Sequence, residues 1–410
     1  MYLERLQLAN FKNYEELDVE FSNNVNCLVG NNGVGKTNLL DALYYLSFCK
    51  SYFNPVDSQN IRLGADFFAI HGHYRLDDKQ SAVQQLNNQQ PTTNEVTVSC
   101  NLQRGQSKKL KYNKKNCTTF AEHIGRIPLV IVTPSDQNLI VGGSEVRRKF
   151  IDGIISQVDK SYLRQLLDYQ KALEQRNKLL KQFYENRYFE EDSISVWDEQ
   201  LVRYGEPIVA ARKAFLDEFR PLFVKYYQLI HPDAQTTEPP TIGYETQFGE
   251  GTPTMAEQLK ANYRRDAQLQ YTTIGPHKED LQFGIGEFAA KRFGSQGQQK
   301  TFLLALKLAQ FEYIYAHLGS KPILLLDDVF DKLDMQRVSQ LVLLVGSDRF
   351  GQVFITDTQQ GRVESIFEQA PEMPHKIFRT ENGELRTENG ERRTENGELR
   401  TENGERRTEN

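Results

Sequence analysis

The chain has 410 residues and a formal net charge of −5, from 50 lysines and arginines against 55 aspartates and glutamates. That length has room for two domains, and that balance excludes a protein that coats nucleic acid through its overall charge, so DNA contact has to come from a local basic patch. No apolar run reaches the roughly 18 residues of a membrane-spanning helix, Met1–Arg5 lacks the apolar core of a signal peptide, and 4 scattered cysteines without a Cys-x-x-Cys pair indicate reduced cytosolic thiols and no zinc site.

Along the chain, Val25–Val29 reads as a short buried strand and Asn38–Leu46 as a helix. Between them, Gly30, Asn31, Asn32, Gly33, Val34, Gly35, Lys36 and Thr37 fit Gly-x4-Gly-Lys-Ser/Thr without a mismatch. Glycines let backbone N–H groups wrap a β-phosphate, Lys36 supplies a point charge for the β- and γ-phosphates, and the Thr37 hydroxyl can ligate Mg²⁺. The bland alternative, an accidental glycine turn, does not explain strand and helix on the correct sides. The Gln/Asn-rich stretch from Asp78 to Asn94 reads as a long surface loop.

Lys108, Lys109 and Lys111, followed by Lys114 and Lys115, lie in a strand-turn-strand pattern with Asn113 at the bend. They suit either DNA phosphates or a lysine-protected sheet edge. Residues 141–267 are helical in character. Arg147 and Arg148 open this stretch and can face a DNA backbone or a carboxylate network. In Ser161–Tyr184, a stripe of Leu163, Leu166, Tyr169, Leu173, Leu180 and Phe183 at helical spacing reads as core, with Arg176 on the surface and Trp197 a packing anchor farther on. His277 and Lys278, in a Gly-Pro turn, border the nucleotide or the dimer interface, or His277 is simply a packed turn histidine.

Ser295, Gln296, Gly297 and Gln298 precede a long apolar helix pattern. A hydroxyl and amides at a helix start form a γ-phosphate site, but an isolated Ser-x-Gly is more simply an N-cap. Ile323–Leu326 then reads as a doubly buried strand ending in Asp327 and Asp328. Asp327 would hold Mg²⁺ and Asp328 would orient or deprotonate the attacking water. Together the three segments describe an ABC-type P-loop ATPase head, an α/β fold of a mixed sheet with flanking helices. Its parts are residues 1–140 and 268–378, with a helical lobe inserted at 141–267. From Arg379 to Asn410 an Arg-Thr-Glu-Asn-Gly-Glu-(Leu/Arg) unit recurs every 7 residues. Gly and Asn in every unit, with no apolar seam, predict a disordered tail.

Met1 to about Phe378 resembles the RecF family of the SMC/ABC-type ATPase group. The resemblance is carried by Asn10–Tyr14, Gly35–Ala42, Thr133–Asp136, Arg147–Asp152, Gln175–Asn177, Gly275–Leu281 and Ser295–Gln299. It implies a slow ATPase used as a switch, with ATP and Mg²⁺ as cofactors and a head-to-tail homodimer in which Ser295–Gln298 of one subunit meets the other's ATP. It also implies that Asp334 crosses the dimer interface, and that Asp357 stands where other ABC ATPases have a switch histidine. Gln137 is a candidate Q-loop residue. The implied function is DNA binding at single-strand gaps and duplex junctions in replication, repair, recombination and the SOS response, cytoplasmic and nucleoid-associated, with RecR and RecO as partners. The alternatives are an SMC-like nucleotide-regulated scaffold without gap preference and a metabolic P-loop kinase, in which Ser295–Gln299 would be idle.

Overall fold

The computed structural model of the chain describes residues 1–76, 94–230, 239–293, 295–330, 335–368, 372–381, 384–388, 392–393 and 399–400. The body of the Gln/Asn-rich loop and Asp334 lie outside the described residues. The chain divides into two compact units. Met1–His123, Ile127–Pro134 and the chain from Ser320 onward make the first; Ile124–Arg126 and Ser135–Gly319 make the second.

The first unit begins with β1 (Tyr2–Phe11), β2 (Tyr14–Glu20), β3 (Val25–Val29) and helix α1 (Lys36–Phe48). β4 (Phe67–Arg75), β5 (Glu95–Gln103), β6 (Lys109–Tyr112), β7 (Lys115–Asn116) and β8 (Leu129–Val132) follow. The second unit contains α2 (Ser144–Val158), α3 (Lys160–Asn186), α4 (Glu191–Ile230), β9 (Pro240–Glu245), β10 (Asp280–Ile285), β11 (Phe288–Ala289) and α5 (Gln296–Leu318). The chain then returns to the first unit with β12 (Ile323–Leu326), α6 (Met335–Val345), β13 (Val353–Asp357), α7 (Gln360–Glu368), β14 (His375–Glu381) and β15 (Glu384–Glu388).

Two sheets build the first unit. One is antiparallel in the order β2-β1-β4-β5-β6-β7. Its β4 and β5 alternate buried and accessible residues, as strands with one covered face do. The other has the order β15-β14-β3-β13-β12-β8, parallel except for β15. Every residue of β3, β8, β12 and β13 is buried, which explains the unbroken apolar runs of β8 and β12. One core joins Leu8, Phe68 and Val98 of the antiparallel sheet, Leu40 and Leu43 of α1, and Leu28, Leu325, Phe354 and Phe378 of the parallel sheet. Phe11 meets Phe68 edge-on at 5.4 Å, and Phe21 meets Phe354 at 4.8 Å, arrangements favoured by the ring quadrupole.

In the second unit α3 and α4 pack together, and α4 also packs on α5, where Phe223 meets Phe302 at 4.6 Å and Phe215 meets Tyr313 at 4.8 Å. Asp159 caps α3, accepting from the N–H groups of Ser161 at 2.7 Å and Tyr162 at 3.0 Å. The buried stripe of α3 is Tyr162, Tyr169, Ala172, Arg176, Leu180 and Phe183. Arg176 therefore corrects the surface position expected from its charge. Its guanidinium is fully buried because Asp198 at 2.5 Å and Asp266 at 2.7 Å neutralise it. Trp197 is half-buried.

Two other differences from the sequence reading concern boundaries. The second compact unit runs to Gly319 and takes in β9–β11 and α5, whereas the helical lobe was expected to end at 267. Residues 379–381 and 384–388, expected within the disordered tail, form the end of β14 and all of β15, paired from Ile377↔Glu388 to Glu381↔Glu384. Beyond them only Arg392–Arg393 and Leu399–Arg400 are described, as a two-residue ladder.

Candidate nucleotide-binding and DNA-contact sites

β3 ends at the carboxyl edge of the parallel sheet, and the loop Gly30–Gly35 joins it to α1. Gly30 and Gly35 have φ of 155° and 113°, a region that favours glycine. Gly35 is closed in as well, because a Cβ there would strike the Asn13 side chain and lie 3.0 Å from the Tyr14 hydroxyl. Asn31, Asn32 and Gly33 are exposed, Val34 is half-buried, and Lys36 is buried. The Lys36 ammonium folds back on its loop, donating to the carbonyls of Gly30 at 2.8 Å and Asn31 at 2.9 Å. Burial pulls its pKa down, opposed by the charges of Asp328, Asp327 and Asp357.

The β12 terminus supplies the acids. Asp327 is buried and accepts from the hydroxyls of Thr37 at 3.0 Å and Thr356 at 2.9 Å, both on the same carboxylate oxygen. Its own N–H donates to the Val132 carbonyl at 2.8 Å, tying it to β8. Burial pushes the carboxyl up to about 6, and the nearby Asp328 charge adds to this, while the two hydroxyls and Lys36 act the other way. Asp328 turns away through a left-handed backbone, φ 46°, with its N–H donating to the Thr356 hydroxyl at 2.9 Å. The set of one hydroxyl and one carboxylate suits Mg²⁺, a hard cation that takes few protein oxygens and fills its remaining positions with water and phosphate. Among the described residues no group of three or more His, Cys, Asp or Glu side chains is placed to hold a metal ion.

Asp357 ends β13, buried, with its carbonyl accepting from the Gly30 N–H at 3.3 Å and its carboxylate 3.7 Å from Arg362. The first unit thus brings Gly30–Thr37, Asp327, Asp328 and Asp357 to one edge of one sheet. Sequence reasoning gave no role to the support beneath them. Asn13 accepts from Asn38 at 2.6 Å and donates to the Val34 carbonyl at 3.3 Å; Tyr14 donates to the Gly35 carbonyl at 3.0 Å. Lys12 pairs at 2.5 Å with Asp41, which also accepts from Ser51 at 2.6 Å. A tight β1–β2 turn, with left-handed Asn10 and Lys12, points these side chains at the loop.

In the second unit Ser295 is the N-cap of α5, in a reciprocal capping box with Gln298: Gln298 N–H to Ser295 Oγ at 3.2 Å, and Ser295 N–H to Gln298 Oε1 at 2.8 Å. Ser295 and Gln296 remain exposed and Gly297 half-buried. Gln299 is buried, donating to the Ala290 carbonyl at 3.2 Å and accepting from Gln137 at 3.2 Å.

The expected basic patches divide. Lys108 is a structural residue: its ammonium donates to Asp57 at 2.6 Å, the Cys49 carbonyl at 2.5 Å and the Tyr45 hydroxyl at 3.2 Å. It also lies 5.0 Å from the Phe120 ring centre, and its side chain is only 9% exposed, so it does not offer its charge to DNA. Lys109 and Lys111, with Lys114 and Lys115, are exposed. Arg147 takes the carboxylate alternative, in a two-pronged pair with Asp280 at 2.7 and 2.8 Å and a bond to the Gly142 carbonyl at 2.8 Å. Arg148 donates to the Glu279 carbonyl at 2.6 Å.

Glu279 and Asp280 belong to the Gly275–Asp280 turn, the hub of a buried network. Arg212, 2% exposed, binds Asp152, the Glu279 carboxylate at 2.8 Å and the Pro276 carbonyl at 2.7 Å. Thr246 at 2.6 Å and Tyr244 donate to the same Glu279. His277 is the packed turn histidine of the two expectations, with Tyr169 at 2.7 Å on one ring nitrogen and the Thr272 carbonyl at 3.0 Å on the other. Burial pushes its pKa down to about 4.

The RecF/RecN/SMC N terminal domain family matches residues 2–385. The chain is 46% identical over 378 residues to the DNA replication and repair protein RecF of Flavobacterium johnsoniae, covering 92% of this chain and 99% of that one. It is also 46% identical over 386 residues to the Phocaeicola vulgatus protein of the same name, covering 94% and 98%. A solved structure of the recombination mediator protein RecF-ATP in the RecFOR pathway superposes with a TM-score of 0.81 at 29% identity, over 94% of this chain and 97% of that one. An Smc head domain from Pyrococcus furiosus, at 16% identity and a TM-score of 0.55 over 94% and 96%, shares the fold. The architecture is therefore the ABC-type ATPase head common to RecF and Smc, and the chain belongs to the RecF family.

Proposed function

We propose that the protein is an ATP-operated DNA clamp of replication and recombinational repair. The carrying observation is the convergence of the Gly30–Thr37 loop, the Thr37 and Thr356 hydroxyls and the Asp327 carboxylate at one sheet edge. A fold match to a RecF structure with ATP supports the choice of nucleotide. In this reading the Lys36 ammonium leaves the Gly30 and Asn31 carbonyls for the β- and γ-phosphates, and the loop amides hold the β-phosphate. Thr37 and Asp327 would hold Mg²⁺, which when bound neutralises phosphate charge. Asp328 orients the attacking water and accepts its proton as the bond between the γ-phosphorus and the bridging oxygen breaks.

Ser295–Gln298 of a second subunit completes the site, with the exposed α5 N-terminus favouring negative charge. Asp334 contributes at the same dimer interface and Asp357 senses the γ-phosphate. The dimer closes on DNA at gap junctions, contacting phosphates through Lys109 and Lys111, and acts with RecO and RecR. Hydrolysis is slow and reopens it. Sizing the Asp328→Asn variant with ATP, with and without gapped DNA, tests the clamp: ATP-dependent dimers retained on DNA are expected, and a persistent monomer in both conditions refutes it. Dimers indifferent to the gap favour the scaffold reading. Lys36→Met and Ser295→Arg should both abolish nucleotide-dependent dimerisation.

A further inference from the structure

The heptapeptide repeat starts at Arg379, yet Arg379–Glu381 and Glu384–Glu388 lie inside the fold. β14 pairs in parallel with β3, the strand that carries the phosphate loop, in register from His375↔Val25 to Arg379↔Val29. The next residue, Thr380, is therefore set beside Gly30, the first residue of the loop. The approach is close: a Cβ built on Gly30 would lie 2.5 Å from the Thr380 carbonyl oxygen. Thr380 is 1% exposed, and its hydroxyl, also buried, is without a hydrogen-bond partner among the described residues. β15 then folds back on β14, placing Arg386 opposite Arg379 and Leu385 opposite Thr380. Leu385 packs against the core of the unit, so the hairpin is held from both sides. The family match ends at residue 385, inside the repeat array and not at its start.

We propose that the start of the repeat array, Arg379–Glu381 at the end of β14, is a working part of the nucleotide site and that Thr380 is its positioning residue. β14 closes the open side of β3, and Thr380, whose buried side chain seats its carbonyl against Gly30, fixes where the loop leaves the strand, so the loop amides are set before a phosphate arrives. Copies beyond Glu388 do not share this role. Preorganisation of this kind shows in affinity, because a loop that must be ordered on binding pays for that order. This inference rests on the ATP reading above.

The test measures binding of a fluorescent ATP analogue, mant-ATP, by four proteins: the full chain, chains ending after Phe378 and after Glu388, and a full-length Thr380→Asp variant. Misplacing a site by about an ångström can cost on the order of a hundredfold, so the chain ending after Phe378 and Thr380→Asp should bind about tenfold or more weakly. The chain ending after Glu388 should match the full chain within about twofold. Melting temperature without nucleotide separates positioning from stability, since a purely structural role lowers it and leaves the affinity of the folded protein unchanged. Should the shorter truncation fail to fold, Thr380→Asp decides. Full affinity in Thr380→Asp or in a folded chain ending after Phe378 overturns the proposal, as does an equal loss in the chain ending after Glu388. A full chain that ignores mant-ATP defeats the ATP reading instead.

Discussion

The two units use the same residue types to opposite ends. At the edge of the parallel sheet, Lys36 and Asp327 are gathered by short loops at strand ends, the ammonium held by carbonyls and the carboxylate by hydroxyls. In the second unit Arg176, Arg212, Asp266 and Glu279 are sealed in and paired with one another. A charge held by neutral groups is free to be recruited by a ligand; a charge held by an opposite charge is already spent on the fold. Arg147 and Lys108 look from the sequence like the first kind and belong to the second.

The largest expected effect comes from breaking the sealed pairs. Arg212→Ala leaves Asp152 and Glu279 buried without their cation and should cost about 3–5 kcal/mol, read as a lower urea midpoint. Lys36→Met should do the reverse, weakening ATP-analogue binding by about a hundredfold, equivalent to about 2.7 kcal/mol, with little change in the urea midpoint.

Acid separates the units by a different route. His277 is held neutral with its pKa lowered from 6.5 to about 4, so between those values the unfolded chain binds more protons than the folded one. Stability should therefore fall as the pH drops from about 6.5 to about 4, by an amount on the order of 2 kcal/mol, and His277→Gln should flatten that part of the profile. A profile unchanged by the substitution would show that His277 is not the group responsible.

The smallest effects contrast neighbours in the β6 region. Lys109→Ala with Lys111→Ala should lower DNA affinity severalfold and reduce the salt slope by about 2, with no loss of stability. Lys108→Ala should instead lower stability by about 1–2 kcal/mol, because Asp57 is left partly buried without its partner, and should leave the salt slope alone.

What the sequence made legible is what chemistry packs into short spacing. Gly30–Thr37 and Ile323–Asp328 each carry their strand, their turn and their reactive groups within a few residues. The buried networks are opaque for the opposite reason: Arg147 and Asp280 are 133 positions apart, and Arg176 and Asp266 are 90 apart. Nothing local distinguishes such an arginine from one facing solvent. Thr356 was invisible because a lone threonine on an apolar strand has no signature until its hydroxyl is seen reaching Asp327. The tail misled in a third way. Glu384–Glu388 has no apolar seam of its own, and it becomes a strand because β14 offers an edge to pair with.

The order of strands in the parallel sheet has a consequence for how the protein is made. β3 emerges early in synthesis, but its two neighbours are β13 and β14, which begin at Val353 and His375. At roughly 5–20 residues per second, the phosphate-loop strand waits on the order of tens of seconds without either partner. A nascent or prematurely terminated chain therefore has the complete nucleotide motif and no sheet to hold it. Until β13 and β14 have both been made, the strand that carries the phosphate loop has neither of its neighbours in the parallel sheet.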